Sequence, residues 1–124
     1  MAQTILEFRM DPAKHEGLVS ICGKLGIRLI PVEKKDYGQK LGALADISGF
    51  GKEKVLYDGP ELPGEMLVFS GMASSQVDAF LDAYRASGLP KIGLKAIVTP
   101  SNVFWTPRQL FMELMNEHLA FGRK

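Results

Sequence analysis

Two strand–helix–strand patterns of similar layout constrain what this chain can fold into. In the first pattern, residues 4–10 alternate apolar and polar side chains, which is typical of a strand with one apolar face. Asp11 and Pro12 suit the N-cap and the first position of a helix. Gly26 can end that helix in a left-handed conformation, and residues 27–32 have the composition of a second strand.

The second pattern repeats this order in the C-terminal half of the chain. A strand is predicted over residues 65–70, a helix that ends at Gly88 follows, and another strand is predicted over residues 94–99. A further helix is predicted over residues 106–120. The predicted order is therefore strand–helix–strand, long connection, strand–helix–strand, helix.

This order predicts a single α+β domain over residues 1–124. We expect a ferredoxin-like split βαβ sandwich (β-α-β-long connection-β-α-β) with an antiparallel sheet and an extra C-terminal helix. A doubly wound parallel sheet is the alternative, but four short strands and one connection of about 30 residues favour the split arrangement. Within that connection, residues 48–64 are rich in glycine and proline and predict a mobile loop.

The predicted sheet has apolar residues on both faces. Residues 66–69 and 97–98 are apolar in both phases of the strand alternation, so neither face can be left to solvent. We expect the helices of the two patterns to cover one face, and either the C-terminal helix or another subunit to cover the other. A homo-oligomer is therefore predicted.

Composition excludes several classes of function. Fifteen basic residues are balanced by 14 acidic ones, which argues against a nucleic-acid-binding protein. No apolar run approaches the roughly 18 residues of a membrane helix, and the N-terminus lacks the regions of a signal peptide. One cysteine cannot form an intrachain disulfide, so a cytoplasmic, bacterial-type protein is expected. With two histidines and one cysteine, no metal site is expected, and no cofactor motif is present.

Specialised residues are densest between the fourth strand and the last helix. The candidate ligand-binding residues in this segment are Lys95, Thr99, Ser101, Asn102, Trp105 and Arg108. They could accommodate a small anionic ligand at the helix N-terminus, or a planar ligand stacked on the indole.

The same segment also has a purely structural interpretation. Thr106 and Gln109, with Pro107 between them, form a capping-box pattern. Trp105 and Leu110 then occupy the positions of a hydrophobic staple, which would fix the entry of the chain into the helix. Asn102 suits the last position of a turn that begins at Thr99.

From about residue 66 to residue 118, the chain resembles an uncharacterised bacterial family, a domain of unknown function. The resemblance lies in the pattern K-A-x-x-T-x-x-N-x-x-W-T, from Lys95 to Thr106, followed by a leucine-rich acidic helix. It implies no activity, but it indicates Lys95, Thr99, Asn102 and Trp105 as a group to test together. The layout also resembles that of the PII-like nitrogen-regulatory proteins, which are trimers that bind nucleotides between subunits. No nucleotide motif of that family is present here, so this analogy concerns layout alone.

Three hypotheses on function follow. The first is a regulatory or accessory module that acts by binding, since no catalytic constellation is evident. The second is a small enzyme that uses Lys95 or Glu113 as acid or base. The third is a protein–protein interaction domain that docks a partner on an exposed sheet face.

Overall fold

The computed structural model describes the backbone of residues 3–122 and the side chains of residues 3–117. The elements follow the predicted order, with two short 3₁₀ turns added at Lys34–Asp36 and Asn102–Phe104. The strands and helices are β1 (Thr4–Phe8), α1 (Pro12–Leu25), β2 (Arg28–Pro31), α2 (Leu41–Leu44), β3 (Met66–Ser70), α3 (Ser74–Ala86), β4 (Leu94–Ile97) and α4 (Pro107–Gly122).

The four strands form one sheet in the order β2-β1-β3-β4. β1 pairs in parallel with β2 and β3 in parallel with β4, while the central strands β1 and β3 are antiparallel. The mixed α+β class is confirmed. The split βαβ arrangement expected from the sequence is not the one found, because each strand–helix–strand unit keeps its two strands adjacent instead of admitting a strand of the other unit between them.

Both faces of the sheet are covered by elements of the chain itself. On one face, α1 and α3 pack over β1 and β3 through a core that includes Leu18, Phe80 and Phe69. On the opposite face, α2, α4 and part of the long connection form a second core, which includes Leu41 and Phe111. The face that the sequence left without a partner is therefore covered by the C-terminal helix and the connection.

The helix starts follow the predicted local chemistry. The carboxylate of Asp11 accepts a hydrogen bond from the backbone amide of Lys14 at 2.9 Å, as an N-cap does. At α4, Thr106 N donates to Gln109 Oε1 at 2.8 Å, and Gln109 N donates to Thr106 Oγ1 at 3.4 Å. The predicted capping box is thus present.

The long connection is attached to the body of the protein at several points. Gln39 exchanges two hydrogen bonds with the backbone of Glu53, and Tyr37 Oη donates to Glu61 Oε1 at 2.5 Å. Leu62 is fully buried, whereas Leu56 is 96% exposed. Mobility of residues 48–64 stays a prediction, and these contacts restrict it to the exposed part between them.

Candidate functional site

Two cavities border the edge strand β4, one on each face of the sheet. The first, here called the outer cleft, lies between β4 and α4 and has a volume of about 440 Å³. Five of the six predicted ligand-binding residues line it, and Arg108 does not. The lining residues of this cleft are Lys95, Ala96, Ile97, Thr99, Ser101, Asn102, Trp105, Leu110, Glu113, Leu114 and Glu117.

Thr99 and Asn102 use their polar atoms to hold the turn between β4 and α4. Asn102 Oδ1 accepts a hydrogen bond from Thr99 N at 2.8 Å, and Asn102 Nδ2 donates to Ile97 O at 3.0 Å. Thr99 Oγ1 accepts from Asn102 N at 3.0 Å. Because Asn102 is also buried, these contacts assign the pair a structural role.

The indole of Trp105 packs against the core formed by α2 and α4. Its backbone carbonyl accepts a hydrogen bond from Leu41 N at 2.8 Å, which ties the start of α4 to α2. Glu113 and Glu117 bring two carboxylates to the outer cleft. An anionic ligand is therefore disfavoured here by like-charge repulsion, while Ser101 and Arg108 are exposed.

The second cavity, here called the α3 cavity, lies between α3, β4 and the segment that joins them. Its volume is about 420 Å³, within the range of small-molecule sites. No Asp or Glu is among the described residues that line it, and three of these residues are cationic. The lining residues are Leu67, Phe80, Leu81, Tyr84, Arg85, Leu89, Lys91, Ile92 and Lys95.

Lys95 is the one predicted residue that borders both cavities. It pairs with Leu67 in the sheet, and Leu67 belongs to the core under α1 and α3. Lys95 Nζ donates a hydrogen bond to Ile92 O at 2.5 Å. Burial lowers the pKa of the Lys95 ammonium, and the charge of Lys91 lowers it further, while Glu65 acts in the opposite direction.

The connection between α3 and β4 forms one wall of the α3 cavity. Tyr84 Oη donates to Pro90 O at 2.6 Å, which fastens the connection to the helix. Leu89 lies directly over α1, where a Cβ at Gly17 would be only 2.1 Å from Leu89 Cδ1. The absence of a side chain at Gly17 thus lets the connection pack closely.

Sequence reasoning missed three residues of this cavity: Tyr84, Arg85 and Lys91. Tyr84 had been placed on the apolar face of its helix, and the other two were unremarkable surface cations in the sequence. The accumulation of Arg85, Lys91 and Lys95 without an intervening acid was the available signal, but it becomes meaningful only once α3 and β4 lie side by side. Arg85 is partly neutralised by Asp82, whose Oδ1 is 3.1 Å from its Nη2.

A separate polar group lies at the end of the sheet where β1 ends and β3 begins. His15 Nδ1 is 2.6 Å from Oε1 of the buried Glu7. Lys14 Nζ forms a 2.5 Å ion pair with Glu65, and this hydrogen bond raises the pKa of Lys14. Within the described part of the chain, no group of three or more His, Cys, Asp or Glu side chains could share a metal ion.

Comparison with known proteins gives one family match. Residues 65–121 match the model of a domain of unknown function, DUF3783. The match covers a little under half of the chain. It includes β3, α3, β4 and α4, and therefore both cavities that border β4.

DUF3783 is consistent with the uncharacterised family that the sequence resembles, over nearly the same residues. No curated protein and no solved structure gives a match. Among residues 3–122, no helix combines the length and apolar character needed to cross a membrane.

Proposed function

We propose that this protein is a small regulatory or accessory binding module that takes an apolar molecule with one anionic group into the α3 cavity. The observation that supports this proposal is an apolar cavity of about 420 Å³ with Lys91 and Lys95 at its border and no acidic residue among the described lining residues. Such a combination favours burial of a hydrocarbon or aromatic group together with charge pairing of a carboxylate or phosphate. The proposal keeps the bacterial and cytoplasmic assignment made from composition.

Lys95 is the residue on which the ligand class depends. Its ammonium is held near the cavity by the bond to Ile92 O, so no long side chain has to be ordered when a ligand arrives. Its lowered pKa indicates that the charged form is incompletely solvated. An anionic group would supply the missing stabilisation.

A titration of the protein with octanoate tests this proposal. We expect octanoate to bind the wild type more tightly than 1-octanol does, because both carry the same chain length but only octanoate is charged. Lys95→Met should weaken octanoate binding at least about tenfold, as expected for loss of about 1.4 kcal/mol or more, and should leave 1-octanol unaffected.

Lys52→Met provides the matched control, because Lys52 is exposed in the long connection and removes the same charge. Its octanoate affinity should equal that of the wild type. Octanoate binding that is absent from the wild type, or equal in the two lysine variants, would refute an anionic ligand in the α3 cavity.

A second candidate function, protein association, is favoured by exposed apolar side chains near the end of β4. Ile97 and Phe104 are 48% and 59% exposed, and the ring of Phe104 contacts that of Phe50 at 5.3 Å between centroids. We propose this patch as the contact of a homo-oligomer. Sedimentation velocity should then show a concentration-dependent oligomer that Phe104→Ser converts to monomer, and a wild type that stays monomeric at all concentrations would remove this candidate.

A further inference from the structure

The two halves of the molecule share more than their element order. Each half contains a strand, a helix, a parallel strand, a 3₁₀ turn and another helix, over residues 4–44 and 66–122. β1 and β3 have the same length and begin 62 residues apart, and so do α1 and α3. An offset that stays constant across two elements and the turn between them indicates equivalent backbone positions.

Backbone conformation supports the same equivalence. Gly26 and Gly88, which are 62 residues apart, both have left-handed φ angles, of 70° and 77°. Arg9 and Gly71, also 62 residues apart, have φ angles of 57° and 67°. A left-handed arginine is unusual, so its occurrence at the position of Gly71 indicates a shared backbone turn. The Arg9 guanidinium is held there by donation to Leu62 O at 2.7 Å.

The segment after each second strand also matches. In both halves a three-residue 3₁₀ turn ends at an aromatic residue, Tyr37 in the first and Trp105 in the second, and a helix follows. Both rings pack in the core beneath α2 and α4. The aromatic residue thus closes the same turn and fills the same layer in each half.

The pairing of β1 with β3 has the register of a two-fold symmetric interface. Leu6 pairs with Val68, which is its own equivalent at an offset of 62. Thr4 pairs with Ser70 and Phe8 with Met66, so the equivalents of each pair form the other pair. This reciprocity, in which residue i contacts j' and j contacts i', defines an isologous contact. α1 and α3 also pack against each other on this side of the sheet.

We infer that residues 4–44 are a diverged second copy of the unit that DUF3783 describes, and that the β1–β3 contact is a dimer interface built into one chain. The surface concerned is the free edge of β3 with the adjoining face of α3. The partner that fits it is a second copy of the same unit, which this chain supplies covalently.

Divergence between the copies offers a test. The buried Glu7 and its partner His15 occupy the positions of Phe69 and Val77 in the other half, both of which are buried and apolar. If the positions are equivalent, the aromatic and the β-branched residue should fit the first half in the same arrangement as in the second. The reversed arrangement places the same two side chains in the wrong positions.

The experiment compares two double variants of the full chain by thermal unfolding. Glu7→Phe/His15→Val should have a Tm within about 3 °C of the wild type, whereas the reversed pair Glu7→Val/His15→Phe should lose about 8 °C or more. Both remove the ion pair and insert the same two residues, so general loss of the pair cannot explain a difference. Equal Tm values for the two variants, or a lower value for the first, would overturn the equivalence.

A second measurement addresses the interface itself. A protease site inserted at the exposed Leu56 would allow the folded chain to be cut between the two halves. The fragments should elute together at the size of the intact chain and should reassemble after dilution from urea. Fragments that separate under native conditions would overturn the inference that the β1–β3 contact acts as a dimer interface.

Discussion

Individual residues between β4 and α4 have different roles although they are close in sequence. Asn102 and Thr99 satisfy backbone groups of the turn, and Trp105 packs in the core and accepts a hydrogen bond from α2. Lys95 alone has its ammonium next to a cavity that carries no acid. Residue type and proximity in sequence could not separate these roles, because each depends on what faces the side chain.

Asn102→Ala should destabilise the protein without a ligand being present. The substitution leaves Thr99 N and Ile97 O without their side-chain partners in a buried turn, at a cost of about 2–3 kcal/mol. Urea denaturation measures this cost. Ser101→Ala, one residue earlier and exposed, should change the free energy of unfolding by less than about 0.5 kcal/mol. Equal effects of the two substitutions would contradict the structural role of Asn102.

The affinity for octanoate should fall with rising pH in a range set by Lys95. Since burial and Lys91 lower the pKa of this ammonium from 10.5, its charge is lost below pH 10.5 in the folded protein. In the same range the unfolded chain holds the proton more tightly, so deprotonation there also increases the free energy of unfolding. Titrations between pH 7 and 10.5 should show a steeper loss of affinity in the wild type than in Lys95→Met. Parallel pH profiles would show that Lys95 does not pair with the anion.

At the scale of elements, local signals in the sequence predicted starts and ends correctly. The Asp11 cap, the Thr106–Gln109 capping box and the glycines after α1 and α3 all occur as expected. These signals involve residues within four positions of one another, so they do not depend on the rest of the fold. The α3–β4 connection is different, because its conformation depends on contacts with α1 that are distant in sequence.

Gly17 tests that dependence. Gly17→Ala places a methyl group where Leu89 Cδ1 now lies, and Leu89 also lines the α3 cavity. We expect octanoate affinity to weaken several-fold. Gly23→Ala, in the same helix with open space around it, should stabilise the protein by about 0.5–1 kcal/mol and leave affinity unchanged. Calorimetric titration and urea denaturation of both variants separate the two effects, and unchanged affinity in Gly17→Ala would show that Leu89 does not shape the site.

At the scale of the whole molecule, the two halves use one backbone design for different purposes. The segment between α1 and β2 has two residues, while that between α3 and β4 has seven. Leu29 and Cys22 occupy the first-half positions equivalent to Lys95 and Tyr84, as the strand register and the helix offset show. The extra residues and the polar substitutions together explain why the α3 cavity has no charged counterpart in the first half.

Octanoate should therefore bind with a stoichiometry of one per chain. The first half lacks both the longer connection and a lysine at the position of Lys95, so the two-fold design does not produce two equal sites. Calorimetry with a known active fraction measures the ratio, and Lys95→Met supplies the control for non-specific uptake. Two equivalent sites per chain would contradict the assignment of binding to the α3 cavity.

The sequence alone determined the order of the elements, most of their boundaries and the α+β class, because hydrophobic alternation, caps and helix-ending glycines act over a few residues. Only the tertiary structure decided how the strands pair, since the split arrangement and the adjacent one place the same apolar residues in a buried sheet. The tertiary structure also covered the second sheet face with α4 and the connection. It brought Lys91 and Lys95 to one cavity, because residues in α3, its connection and β4 become neighbours only when the edge strand lies against the helix.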